Sequence, residues 1–218
     1  MCPQILLIVL LGYLVGSIPF SYLIARGVKG IDLRKVGSGN VGASNVAREV
    51  GRVYGLLAGI LDFGKSAAVA LVLRALGYPI TCQVAAGLAA VAGHNWTVFL
   101  RFSGGRGIAA TLGLYLVLIP RLLLPALAIV AFFGLVLRET ALGVLLMLLA
   151  IAAATLVPAL NPYGPWATAL AWIALGMAVL RRVQFVVHDR RQGRPLGRAL
   201  WNRLLYDTAE KQKLPPVP

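Results

Sequence analysis

Apolar runs of membrane-spanning length recur along this chain and leave few folds open to it. They cover roughly Ile5 to Ala25, Val53 to Leu73, Ile80 to Leu100, Ala141 to Val157 and Trp166 to Leu180. Between them lies Ile108 to Leu137, stopped midway by Pro120-Arg121. Such runs predict an all-α polytopic membrane protein. Only 13% of residues are charged, about half of what a soluble domain carries, and 59% are hydrophobic. No linker divides the chain, so residues 1–218 are expected to form one transmembrane bundle. The first run lacks a basic leader and exceeds a signal peptide's apolar length, so it is expected to be retained as a helix.

Charge decides how many times the chain crosses. The net charge is +14, from 21 basic and 7 acidic residues. Six basic residues lie between Arg26 and Arg52, and nine lie in the tail from Arg181. Both segments belong on the cytoplasmic side, which requires an even number of crossings between them. Ile108–Ile119 and Leu122–Leu137 must then be separate helices. The result is seven transmembrane helices, N-terminus outside and C-terminus cytoplasmic. The fourth helix is short, at 12 residues, which burial within the bundle or local thinning would accommodate. The motif loops at about 26–52 and 101–107 and the tail at about 181–218 then share the cytoplasmic face. Arg138, in the turn after the fifth helix, falls on the same face, and Lys65, Arg74 and Arg121 are the only basic residues elsewhere. Basic residues confined in this way meet lipid headgroups, and no basic–aromatic interleaving suggests nucleic acid. The tail from Arg181 reads as a helix on the membrane surface.

Two loops carry the chemistry. The first is Gly37-Ser38-Gly39-Asn40-Val41-Gly42-Ala43-Ser44-Asn45-Val46-Ala47-Arg48. Its glycines let the backbone turn its N–H groups toward an anion. Ser38, Asn40, Ser44 and Asn45 add neutral polar groups, and Arg48 adds a planar fork suited to phosphate. The second is Arg101-Phe102-Ser103-Gly104-Gly105-Arg106-Gly107. Two such loops on one face can hold two phosphates. Within the second run, Asp62 and Lys65 stand three residues apart and are expected to brace the bundle as an ion pair. His94 is expected to be a structural histidine. Cys2 and Cys82 are the only cysteines, with no metal-ligand spacing and no disulfide expected. No metal and no cofactor is expected.

Gly37–Arg48, with Gly93-His94 and the stretch from Phe99 to Thr111, closely resembles the bacterial acyl-phosphate:glycerol-3-phosphate acyltransferases. The resemblance implies a small inner-membrane enzyme of phospholipid synthesis, working on the cytoplasmic face. It implies transfer of a fatty acyl group from acyl phosphate to the 1-hydroxyl of glycerol 3-phosphate, giving lysophosphatidic acid. Ser38 and Arg48 would contact glycerol 3-phosphate, with Gly37, Gly39, Asn40, Gly42, Ser44 and Asn45 around it. Gly104, Gly105 and Gly107 would help form a phosphate hole beside Arg106. Acyl phosphate is an activated mixed anhydride, so no serine or cysteine nucleophile is required. The His-x4-Asp signature of other glycerolipid acyltransferases is absent, since Phe99 stands where the Asp would be.

The chain departs from the family in places. Ser103-Gly104-Gly105-Arg106 stands where the family has Lys-Gly-Gly-Lys, and Ser44 stands for Thr. The family's third motif, His-Arg-Glu-Asn, finds its nearest local match at His188-Asp189-Arg190-Arg191, which makes His188 the candidate there. A divergent paralogue with another phosphorylated acceptor is one alternative. A non-catalytic or transport protein for an anionic metabolite is another, although no inverted repeat links the two halves. Membrane lipid is the expected surrounding, and a monomer is compatible with these features.

Overall fold

The first apolar run does not form one helix. In the computed structural model, which describes residues 4–137, 139–191 and 195–201, it is split into α1 (Ile5–Ser17) and α2 (Phe20–Lys29). Pro19 is the cause. It has no N–H to donate, and its ring pushes Ile18 out of the helical region, to ψ 115°. The break frees two carbonyls in an apolar setting, where each must find a donor. Thr97 Oγ1 donates to the Ser17 carbonyl at 2.5 Å, and Lys65 Nζ donates to the Ile18 carbonyl at 2.9 Å.

The polar chain after α2 folds into a loop and a short helix, α3 (Ala43–Glu49), before α4 (Arg52–Ala75) and α5 (Ile80–Asn95). A single 3-10 turn, Val98–Leu100, follows. The expected third span, Ile80 to Leu100, therefore ends early, at Asn95. Next come α6 (Ile108–Leu118) and α7 (Pro120–Leu135), broken at Pro120 as the charge count required. Last are α8 (Thr140–Ala154), α9 (Pro165–Arg191) and α10 (Leu196–Trp201). No strand occurs among the described residues.

Three segments, Ile5–Lys29, Arg52–Ala75 and Pro165–Val187, are long and apolar enough to cross a membrane, and α6, α7 and α8 are apolar but shorter. The 11 residues of α6 reach about 16 Å, against about 36 Å for the 24 of α4. The short helix is tolerated because it is interior: Ala110, Thr111, Leu114, Tyr115 and Leu118 are all buried. Gly113 of α6 rests directly on the Phe63 carbonyl of α4, and Gly16 of α1 on Ala90 of α5. Small residues bring backbones into contact where lipid supplies no hydrophobic drive between helices. A large apolar core joins α6 to α9, and a smaller one, around Leu33, Val46, Ala58 and Leu100, lies under the first glycine loop.

One expectation is overturned at the far end. The tail was expected to leave the bundle at Arg181, as a surface helix. Instead α9 continues through this point, and Arg181 and Arg182 are buried, at 7% and 3% exposure. Each offsets its desolvation by donating to backbone carbonyls, Arg181 to those of Gly104 and Gly105 and Arg182 to that of Ala141.

Candidate active site

The first glycine loop is built around one side chain. Asn45 is 1% exposed, and its Oδ1 accepts the Ser38 N–H at 3.1 Å. Its Nδ2 faces the carbonyls of Leu33, Val36 and Asn40 at 3.2, 3.1 and 3.0 Å. Gly37 and Gly39 take left-handed φ of 58° and 71°, which lets the chain wrap this amide. The Gly42 carbonyl then accepts the N–H groups of Asn45 and Val46 and starts α3. Asn45 was expected among the ligand contacts. Its polar atoms are instead spent inside the loop, so it shapes the site from beneath. Asn40 is buried as well, while Ser38 is half-buried. Ser44 and Arg48, one helical turn apart on α3, are exposed on one face of it.

The second loop is held from outside. The Gly104 N–H donates to the Asn95 carbonyl at 3.2 Å, and the Gly105 N–H to the His94 carbonyl at 3.0 Å. Both glycines were expected to offer N–H groups to phosphate. Those groups serve as caps for α5, and the glycines are needed for close approach. A Cβ on Gly105 would collide with His94 Nε2 and sit 2.6 Å from the Val41 carbonyl. Gly107, at φ 74°, lies against the Asn95 side chain and opens α6. Arg106 is 5% exposed, with its guanidinium 5.0 Å from the centre of the Phe185 ring on α9. Gly105 and Val41 are thus the point where the two loops meet.

Directly beneath that seam lies the ion cluster. Asp62 Oδ1 lies 2.9 Å from Lys65 Nζ and 3.3 Å from His94 Nδ1, and its Oδ2 accepts the Ser21 hydroxyl at 2.9 Å. It so joins α2, α4 and α5. With a neutral imidazole the cluster carries no net charge, as deep burial demands. The cavity it lines is only about 10 Å³, room for one water and too small for a phosphorylated polyol. This agrees with a bracing role for Asp62, Lys65 and His94.

Sequence reasoning missed Arg181, which reaches the second loop from α9, and Gln184, which accepts from it. Two adjacent arginines at the end of an apolar run were the available signal. His188 lies further along α9, and its side chain is outside the described residues. Cys82 is buried. Among the described residues no His/Cys/Asp/Glu group is arranged to hold a metal.

A bundle of apolar helices that folds two glycine-rich loops against each other at one end defines an integral membrane protein with a loop-built site. The family described as glycerol-3-phosphate acyltransferase matches residues 6–191, and the chain belongs to that family. A crystal structure of PlsY (YgiH), an integral membrane glycerol 3-phosphate acyltransferase in its glycerol 3-phosphate form, superposes with a TM-score of 0.75 at 33% identity, covering 88% of this chain and 94% of that one. Glycerol-3-phosphate acyltransferase 4 of Dehalococcoides mccartyi (strain CBDB1) is 48% identical over 134 residues, 62% of this chain and 58% of the relative. Glycerol-3-phosphate acyltransferase 5 of D. mccartyi (strain ATCC BAA-2266 / KCTC 15142 / 195) is 52% identical over 124 residues, 57% of this chain and 53% of the relative. The matches thus span little more than half the length of these relatives.

Proposed function

We propose that this protein transfers a fatty acyl group from acyl phosphate to the 1-hydroxyl of glycerol 3-phosphate. The products are lysophosphatidic acid and inorganic phosphate. The observation that carries this is the meeting of the two glycine loops at Val41 and Gly105, in a member of this family. Both substrates are anionic, so the site must hold two phosphates close together. Arg48 and Ser44 on α3, with Ser38 in the loop before it, face one of them. Arg106 and the opening turn of α6, whose first N–H groups have no helical acceptor, face the other. Held there, the acceptor hydroxyl attacks the acyl carbonyl, the bond between the acyl carbon and the phosphate oxygen breaks, and the departing phosphate carries off the hydroxyl proton, so no protein nucleophile is used. The developing oxyanion is stabilised by the same donors. His188 is assigned to the site by its motif position alone. The acyl chain lies between lipid-facing helices.

The topology goes with this assignment. α1 with α2, then α4, α5, α6, α7, α8 and α9, make seven crossings. The positive-inside rule sets the glycine loops on the cytoplasmic side of a bacterial inner membrane. Arg106 favours a second reading, a different phosphorylated polyol as acceptor, because a guanidinium stacked on Phe185 presents a wide fork where the family has an ammonium.

The test uses the purified full chain in lipid, supplied with acyl phosphate with and without glycerol 3-phosphate. Acceptor-dependent formation of lysophosphatidic acid with equimolar phosphate is the expected result. Phosphate release that glycerol 3-phosphate does not accelerate points to another acceptor. No turnover by folded protein overturns the assignment.

A further inference from the structure

Arg181 and Arg182 are neighbours on α9, both buried, yet their guanidinium groups serve different parts of the molecule. Arg182 Nη2 donates to the Ala141 carbonyl in the first turn of α8, at 2.9 Å. Arg181 faces the second glycine loop. Its Nε donates to the Gly105 carbonyl at 2.9 Å and its Nη2 to the Gly104 carbonyl at 2.8 Å. Its Nη1 donates to Gln184 Oε1 at 2.8 Å, an atom that also accepts from Trp96 Nε1 at 3.0 Å. The rings of Trp96 and Phe185 lie 5.8 and 5.2 Å from the guanidinium carbon.

These contacts fix two successive peptide planes. In a trans peptide the carbonyl and the following N–H point in opposite directions. The Gly104–Gly105 plane is held at both ends, by Arg181 on its carbonyl and by the His94 carbonyl on its N–H. The Gly105–Arg106 plane is held at its carbonyl by Arg181, which turns the Arg106 N–H to the opposite side. That N–H lies two residues before the first residue of α6. Arg181 also draws two carbonyl dipoles toward itself, and these would repel an anion if turned the other way.

We propose that Arg181 is a positioning residue for phosphate binding: it orients the Gly104–Arg106 backbone that leads into α6. Arg182, equally buried, has a structural role only. The proposal rests on the acyltransferase reading for its kinetic consequence but not for its geometry.

The experiment compares Arg181→Lys with Arg182→Lys in lipid, and adds Gln184→Leu, an exposed change that removes the acceptor Arg181 shares with Trp96 and leaves both carbonyl contacts of Arg181 in place. A lysine keeps the charge and loses the fork. Both lysine variants are expected to melt lower than wild type. Only Arg181→Lys raises KM for glycerol 3-phosphate or acyl phosphate, by about tenfold or more. Gln184→Leu moves the same constant by a smaller factor. Amide hydrogen exchange over 104–110 accelerates in Arg181→Lys and stays at the wild-type rate in Arg182→Lys. Equal kinetic and exchange behaviour of the two lysine variants overturns the proposal. So does an unchanged exchange rate in both Arg181→Lys and Gln184→Leu. If wild type shows no acyl transfer, the functional assignment fails, and the exchange comparison still decides the role of Arg181.

Discussion

The two glycine loops solve the same problem by opposite means. The first carries its own scaffold: Asn45 holds Leu33, Val36, Ser38 and Asn40, all within 12 residues of itself. The second is held from outside. It is clamped by the α5 carbonyls of His94 and Asn95 on one side and by Arg181, 76 and 77 residues away, on the other. A self-held loop keeps its shape when the bundle shifts. A loop held by two helices, α5 and α9, reports on how those helices sit. One end of the site is therefore preformed and the other is set by tertiary packing.

The sharpest way to break this contrast is Gly105→Ala. The added methyl meets His94 Nε2, which Asp62 holds in place, and the Val41 carbonyl at 2.6 Å. Backbone cannot yield as a flexible side chain would, so the loops must part. Turnover is expected to fall by about a hundredfold or more, the scale of a misplacement near 1 Å. Overpacking should cost about 1–3 kcal/mol in thermal unfolding. Wild-type turnover in this variant would mean that the loops do not need to touch.

Asn45→Asp tests the other loop. It keeps the acceptor for Ser38 and loses every donation from Nδ2, with a carboxylate now buried among carbonyls. A loss of about 1–3 kcal/mol is expected, together with faster proteolysis between Leu33 and Asn45 and a drop in turnover of about tenfold. Hydrogen exchange over 104–110 should not change. If both loops loosen together, the first is not self-held.

The same contrast explains what the sequence could reveal. The glycine motif and its polar residues are contiguous, so their concentration in an apolar chain marked the first site. The use of Asn45 was misjudged because a side-chain amide suits a ligand and a backbone equally well. For the second loop the motif was visible and its anchors were not. Arg181 looked like the start of a basic tail, since charge near the end of an apolar run usually marks the membrane surface. Only the folded bundle shows that α9 runs on and buries it. The Pro120 break was legible because proline acts locally. Pro19 breaks its run by the same local rule, but the stabilisation of that break by Lys65 and Thr97 was not legible, because those residues come from distant parts of the chain.

The smallest expected effect lies at the rim of the self-held loop. Arg34 donates through Nε and Nη2 to the two carboxylate oxygens of Asp32, at 2.9 and 2.7 Å, and through its backbone N–H as well. The Arg34 hydrogen bond is the main reason that the Asp32 carboxyl is lowered from 3.8 to about 2. A carboxyl lowered on folding contributes stability that is fully present above its unfolded value and is lost as pH falls through the folded one. The pair is solvent-screened, so Asp32→Asn should cost no more than about 0.5 kcal/mol at neutral pH. The difference between variant and wild type should be flat from neutral pH down to about pH 5, narrow below pH 3.8 and close near pH 2, as thermal unfolding across that range would show. Turnover should be unaffected, because Asn45 and not this ion pair sets the loop. A loss of activity on Asp32→Asn comparable to that of Asn45→Asp would show that the first loop, too, depends on contacts at its edge.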